Sequence, residues 1–530
     1  MSENKYYLRQ NVQVEPLYNN WYAYPLLLAP ATAAMNVANS HLKIMKSYAA
    51  APAVHAAAVK NPALRGGPFM DFEGDRSAEI KGMIDGINRD QTHLLEFADA
   101  VKRLTLMMLE EAKGYSLESL YERVPEPLRG YVELVYDLNN SPGVRFIERL
   151  LYKSPYYDTS LQSVIFSLVE CDERPFAFST PRIADGNSLH LRIPFAHEGL
   201  DELFKTRGVA QPYSYTKGLL GIADEHDELF RSFLTEEPPP APRPKYDGDG
   251  VRIRYFGHAC VMVETKDVCV MTDPVISYAY DNAFPRYTFA DLPEVIDYVL
   301  ITHSHADHFM LETLLQLRHK IGHVVVPRNG GGTLEDPSLK LILENVGFKR
   351  VIEVDEMESV PLPGGELVSL PFFGEHADLN IRTKTAHLIR LGGKTILCAA
   401  DSSNIEPKLY EHIHKIVGDI DVLFIGMECD GAPLSWIYGS LVSKSLDRKM
   451  DRSRKLSGSD FTQGMALVNE FNCGRVYVYA MGQEPWLCYV TSLVYTDESK
   501  QIVESNKLVE ACRARDIEAE RLYGCKEMFL

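Results

Sequence analysis

Positive charge is scarce in this 530-residue sequence: 55 Lys and Arg stand against 73 Asp and Glu, a formal net charge of -18. So acidic a surface repels phosphate backbones and anionic lipid at long range, which excludes nucleic acid and membrane surfaces as general partners. Long apolar runs are missing too. The most apolar early stretch, Trp21 to Met45, is interrupted by Pro25, Pro30, Asn36, Asn39, Ser40 and His41, too much polarity for a spanning helix. The opening MSENKYYLRQ lacks the basic-then-apolar order of a secretory leader, so a cytoplasmic location is expected. The nine cysteines form no Cys-x-x-Cys pair, which argues against a disulfide or zinc-thiolate framework and leaves them as small buried apolar residues. No glycine-rich phosphate loop is visible, so neither a nucleotide nor a flavin site is expected.

At about 150 residues per domain, this length requires at least two domains. Prolines at 238, 239, 240, 242 and 244 cannot donate backbone hydrogen bonds, so the segment 235–249 reads as an extended connector. Upstream, residues 1–234 form an expected α+β domain. Arg76 to Glu111 spaces its apolar residues as a helical hairpin does, and SVIFSLVE, RPFAFST and HLRIPF read as strands. Downstream, residues 250–530 carry short β-rich runs separated by helical stretches at Glu312 to His319 and Glu406 to Val417, the pattern of two sheets sandwiched by helices.

The chemistry lies in Thr302-His-Ser-His-Ala-Asp-His308, directly after an apolar strand. Three imidazoles and a carboxylate within six residues converge at low cost only around a counter-charge, which a divalent metal provides. HSHADH is similar to the His-x-His-x-Asp-His signature of the metallo-β-lactamase superfamily, with Tyr255 to Cys260 and Met271 to Pro274 resembling that fold's opening strands. The resemblance implies an αββα sandwich in which His303 and His305 serve one metal, Asp307 and His308 the other, and Asp401 lies at or between them.

Two further ligand positions are usually histidines in the hydrolytic members. The first falls at Glu375-His376. Adjacent strand residues point to opposite faces, so one of the pair is expected at the metal and not both. The second is missing: after His412 and His414, which fall within an amphipathic helix pattern, the chain has no histidine. That absence points from dizinc hydrolases toward the diiron members, since hard anionic oxygens favour iron and histidine-rich shells suit zinc.

A large α+β domain ahead of such a fold, with Gly-Glu-His-Ala-Asp-Leu-Asn at the third ligand, resembles the diiron β-hydroxylases of the chloramphenicol-biosynthesis type. The resemblance selects Glu375 and implies the ligand set His303, His305, Asp307, His308, Glu375 and Asp401. It further implies two non-haem irons, O2 and an external electron donor acting on the β-carbon of an aromatic amino acid such as p-aminophenylalanine. The substrate would be held as a phosphopantetheine thioester on a nonribosomal peptide synthetase carrier domain. A homodimer is expected, with the first domain contributing to dimerisation and active-site access. His376, Asp273 and Glu428 are expected as supporting or substrate-facing residues, His258 and Asp378 are further candidates to orient the ligand histidines or to serve ordinary turn hydrogen bonding, and no catalytic group beyond the metal ligands is expected. The basic run Lys444, Arg448, Lys449, Arg452, Arg454 and Lys455 could meet the carrier, and Trp436 and Tyr438 could line an aromatic pocket. Two other readings are a dinuclear zinc hydrolase of a thioester, lactone or phosphodiester, and a non-enzymatic diiron sensor of O2 or nitric oxide.

Overall fold

The computed structural model describes residues 4–241 and 243–530; residues 1–3 of the opening segment and Pro242 of the connector lie outside the described residues. Ordered structure reaches one residue into the expected connector, because the short strand Leu234–Thr235 pairs with Lys5–Leu8.

Residues 250–530 fold as two seven-stranded sheets. In the first, the strands Cys269–Thr272, Ile296–Leu300, Ile321–Pro327 and Val351–Val354 run parallel, and Cys260–Glu264, Arg252–Gly257 and Lys526–Phe529 extend it antiparallel. In the second, Ser359–Leu362, Gly365–Leu370, Ala386–Leu391 and Lys394–Cys398 are antiparallel, then Val422–Gly426, Arg475–Tyr479 and Glu518–Arg521 join in parallel. Parallel strands need crossover helices, and these cover the outer faces. Ile253, Val261, Val263, Val270 and Leu300 of one sheet share a buried core with Ile389, Ile396, Val422, Phe424 and Tyr477 of the other. Leu388, Leu397, Leu423, Ile425, Val476 and Val478 point the other way, into a core shared with Tyr410, Ile413, Leu467 and Leu508 of the covering helices. Alternation along each strand thus builds an αββα sandwich from period-2 sequence.

The first domain has a four-stranded antiparallel sheet, Trp21–Tyr22, Val12–Tyr18, Gln162–Leu168 and Leu189–Leu191, together with helices. The expected hairpin is present as Ser77–Asp90 and Thr92–Glu111. RPFAFST forms no strand: it is turn and coil, and its Arg174 enters a buried ion cluster. The Trp21 to Met45 stretch folds into short helices with a π-helical segment, Val37–His41, and is mostly buried. None of the described helices is long and apolar enough to cross a membrane. The two domains share cores rather than touching across a wet surface. Leu94, Phe97, Val101 and Leu104 lie in one buried cluster with Ala377, Leu434, Tyr438, Leu441 and Leu456. Of the nine cysteines all are free, but only Cys260, Cys269, Cys398, Cys473 and Cys512 are buried; Cys171 is exposed.

Candidate metal centre

Every side chain of the centre leaves the carboxyl end of a strand. His258 follows Arg252–Gly257, Asp273 follows Cys269–Thr272, and the His303 to His308 loop follows Ile296–Leu300. Glu375 follows Gly365–Leu370, Asp401 follows Lys394–Cys398, and Glu428 follows Val422–Gly426. Open α/β sheets place their sites at this end, where loops rather than pleats set side-chain direction.

His303 Nε2 lies 3.2 Å from His305 Nδ1, and His305 Nδ1 lies 3.1 Å from Glu375 Oε1. His308 Nε2 lies 3.1 Å from Asp401 Oδ2, which is 4.0 Å from His303 Nε2. Donor atoms of His303, His305 and Glu375, of His303, His308 and Asp401, and of His258, Asp307 and His308 form three groups, each within 4.8 Å. All six sequence-predicted ligands are therefore brought together, with Asp401 in one group with His303 and His308.

Three imidazoles and two carboxylates buried in one place, with half-buried Asp307 beside them, are costly without a cation. Burial and its imidazole neighbours hold His303 well below the usual histidine range, so it offers a lone pair. Burial also disfavours a charged His308, but Asp401 and Asp273 outweigh it and hold that ring well above the usual range. Glu375 Oε2 and Asp401 Oδ1 are buried with no hydrogen-bond partner among the described residues. Orphaned oxygens aimed at converging nitrogens are what a cation would satisfy, and the oxygen-rich set suits iron. The residues fit a dinuclear metal centre.

The expectation that Glu375 and His376 face opposite ways is corrected here. Residues 371–384 carry no strand, and Gly374, Glu375, Ala377 and Asp378 have φ of 80, 66, 53 and 56 degrees. Strand alternation does not hold in a left-handed turn, and both side chains enter the centre. His376 stacks on His305 with ring centroids 4.6 Å apart, and its Nε2 is buried without a hydrogen-bond partner among the described residues. Only Glu375 brings its donor into a ligand group.

Around these lie orienting contacts. Asp273 Oδ2 is 2.8 Å from His308 Nδ1, leaving Nε2 for the centre, and the Asp273 carboxylate also accepts from Thr302 N and Oγ1. The Tyr438 hydroxyl sits 3.1 Å from His305 Nε2. Such outer partners fix tautomer and ring direction. The sequence placed Tyr438 only as a pocket aromatic, because nothing in its spacing links it to His305, 133 residues away. His258, a candidate orienting residue, lies beside the donors: Nε2 is 3.3 Å from Asp307 Oδ2, while Nδ1 accepts from Gly482 N at 3.1 Å. It follows Gly257 at a bulged strand end, and its φ of 51 degrees, which no residue pattern announces, belongs to the folded backbone. Glu428 is half-buried, and burial followed by Asp401, Asp307 and Glu375 pushes its carboxyl well above the usual range. His412 and His414 lie on the helix Pro407–Val417, where His414 meets Asp419 and Glu470 and takes no part in the centre.

Comparison with known proteins agrees with this geometry. Residues 7–238 match the family described as diiron non-heme beta-hydroxylase N-terminal domain, and residues 269–433 match the beta-lactamase superfamily domain. The chain is 40% identical over 527 residues, 98% of each sequence, to the 4-amino-L-phenylalanyl-[CmlP-peptidyl-carrier-protein] 3-hydroxylase of Streptomyces venezuelae. It superposes on the crystal structure of CmlA, a diiron beta-hydroxylase from that organism, with a TM-score of 0.93 at 39% identity, covering 100% of both chains. A glutamate-to-aspartate variant of CmlA gives a TM-score of 0.91 at 39% identity, with 99% of this chain and 100% of that one covered.

Proposed function

The chain belongs to the diiron non-haem β-hydroxylase family, and from that membership we propose that it hydroxylates the β-carbon of an aromatic aminoacyl group held as a thioester on a peptidyl carrier domain. The Streptomyces relative takes 4-aminophenylalanyl, and a side chain of that class is the substrate expected here. The observation that carries the reading is the convergence of three buried imidazoles with buried Glu375 and Asp401 and half-buried Asp307, Glu375 Oε2 and Asp401 Oδ1 having no hydrogen-bond partner among the described residues. It favours redox iron over the zinc hydrolase, and the overall identity to a hydroxylase favours turnover over sensing.

His303, His305 and Glu375 would hold one iron, and Asp307 and His308 the other, with Asp401 between them. The iron pair, when bound, supplies the oxidation of the C–H bond by O2. One oxygen atom enters that bond, and the other leaves as water with two electrons and two protons from an external donor. The chain's own residues orient and exclude. Asp273 and Tyr438 hold the His308 and His305 rings, His376 packs against His305, and His258 pairs with Asp307. Half-buried Glu428, which feels the charges of Asp401, Asp307 and Glu375, is the carboxyl group proposed to meet a substrate ammonium. The domain cores shared around Tyr438 and Leu434 support a role for the first domain in narrowing access to the site. A homodimer, assembled through that domain, belongs to the same reading.

The test is to reduce the iron-loaded protein without oxygen, add a panel of aminoacyl carrier domains, admit isotopically labelled O2, and weigh the released acids. One labelled oxygen in an aromatic β-hydroxy acid is expected. Unlabelled hydrolysis as the sole outcome, with zinc sustaining it, would restore the hydrolase.

A further inference from the structure

Between residues 444 and 455 this acidic chain places six cations and two acids, Asp447 and Asp451. Both acids are engaged locally. Asp447 accepts from the backbone of Lys449 and Met450, starting the helix Arg448–Ser453, and Asp451 accepts from Ser435 N and Oγ at 2.8 and 2.7 Å. Lys444, Arg448, Lys449 and Arg452 are exposed and make no ion pair among the described residues, and Met450 beside them is 57% exposed. Unpaired cations around an exposed apolar side chain, on a molecule of net charge -18, form a face complementary to an acidic partner.

The position of this face ties it to the metal centre. Ser435, which Asp451 holds, opens the helical turn that carries Tyr438 to His305. Arg454 Nε donates to Ala377 O at 2.8 Å, two residues from Glu375. Lys455 pairs with exposed Asp430, in the loop that begins at Glu428. Glu375 N donates to Ser457 O at 3.3 Å, and Gly458 N donates to Glu428 O at 3.0 Å. The basic segment therefore continues into the wall of the site, where the Glu428 to Asp430 loop passes from half-buried to exposed.

We propose that Lys444, Arg448, Lys449 and Arg452 dock an acidic face of the carrier domain that delivers the substrate. This rests on carrier delivery as read above. Charges at such a face set encounter rate and salt dependence more than the chemistry that follows.

The test compares the iron-loaded native chain with the triple variant Arg448→Glu, Lys449→Glu, Arg452→Glu and the neutral variant Arg448→Gln, Arg452→Gln. Lys266→Glu, Lys349→Glu, at exposed sites elsewhere, is the control. Three substrates are used: the aminoacyl carrier domain, the same aminoacyl group on free phosphopantetheine, and on pantetheine without phosphate. For the carrier, KM should rise at least ~10-fold in the triple variant and less in the neutral one, with kcat at saturation kept. Fluorescence anisotropy of the labelled carrier should show the same loss of affinity and a shallower salt dependence. The two carrier-free substrates should be indifferent to the variants. A KM unchanged relative to the control pair would overturn the proposal. An equal penalty on free phosphopantetheine would also overturn it, reassigning the cations to the phosphate, and so would a changed oligomeric mass with KM intact. If the native chain itself turned over no carrier-bound amino acid, the reading of function would fail instead.

Discussion

The residues that decide the chemistry are those that replace imidazole with carboxylate. Glu375, which the resemblance to the diiron family puts in place of the hydrolases' histidine, has a buried Oε2 with no protein partner among the described residues. Glu375→His should shift metal preference toward zinc and abolish oxygen insertion without unfolding, as read by metal content and circular dichroism. Oxygenation surviving in that variant would remove Glu375 from the ligand set. Tyr438 and Asp273 act one bond further out. Tyr438→Phe keeps the ring and removes only the hydroxyl 3.1 Å from His305 Nε2. Iron affinity should fall by ~10-fold or more with the unfolding temperature nearly kept, and chelator competition measures it. His376→Ala should be milder toward iron than Glu375→His, because its contribution is ring packing against His305 and no ligand group includes it.

Among the elements, the decisive one is the turn at 374–378, where four of the five positions have positive φ and replace an expected strand edge. Gly374 has φ of +80 degrees, and a Cβ there would meet Ser403 Cβ at 2.5 Å. Gly374→Ala should therefore cost more than the usual ~1 kcal/mol of a left-handed residue, and lower iron loading by moving Glu375. Thermal unfolding of the metal-free chain and iron content of the loaded one measure the two effects separately. Normal loading with normal stability would mean that the turn is more forgiving than its contacts imply. The loop after Ile296–Leu300 needs no such device, since Asp273 ties its first residue, Thr302, by both N–H and hydroxyl.

The whole molecule is held by charges buried between its domains. Arg174 of the first domain bridges Glu15 of the same domain and Glu312, on the helix Leu311–Leu317 that follows the metal-binding loop, and Arg182 closes the cluster on Glu15. Burial opposes ionisation of Glu15, but Arg182 and Arg174 outweigh it and lower its carboxyl from 4.5 to about 2. A carboxyl depressed in the folded state contributes stability that is complete above its unfolded value and is lost as pH falls through the folded one. Native unfolding temperature should thus drop between pH 4.5 and about 2 more steeply than that of Glu15→Gln in the same metal state. At neutral pH the variant should be less stable by ~3–5 kcal/mol, because Arg182 loses its carboxylate partner while buried. Parallel pH profiles for the two proteins would show that the cluster does not govern acid unfolding.

Sequence alone determined the sandwich and most of its centre. Period-2 runs fix which face of a strand is buried, and the spacing of His303, His305, Asp307 and His308 places four donors on one loop after a strand whatever the rest does. Asp401 was legible only through the resemblance to the metallo-β-lactamase pattern, since no spacing ties it to the histidine loop. Tertiary structure alone decided what comes from far away in the chain or depends on backbone hand. The shared direction of Glu375 and His376 follows from positive φ, which no side-chain pattern announces outside glycine. The approach of Tyr438 to His305 and of His258 to Asp307, and the sealing of Glu15, Arg174 and Glu312 between domains, arise from packing that brings together residues with no periodic relation. Local periodicity is written in the order of residues; which distant side chains complete one another's charge is settled only when the strands and helices close on a common core.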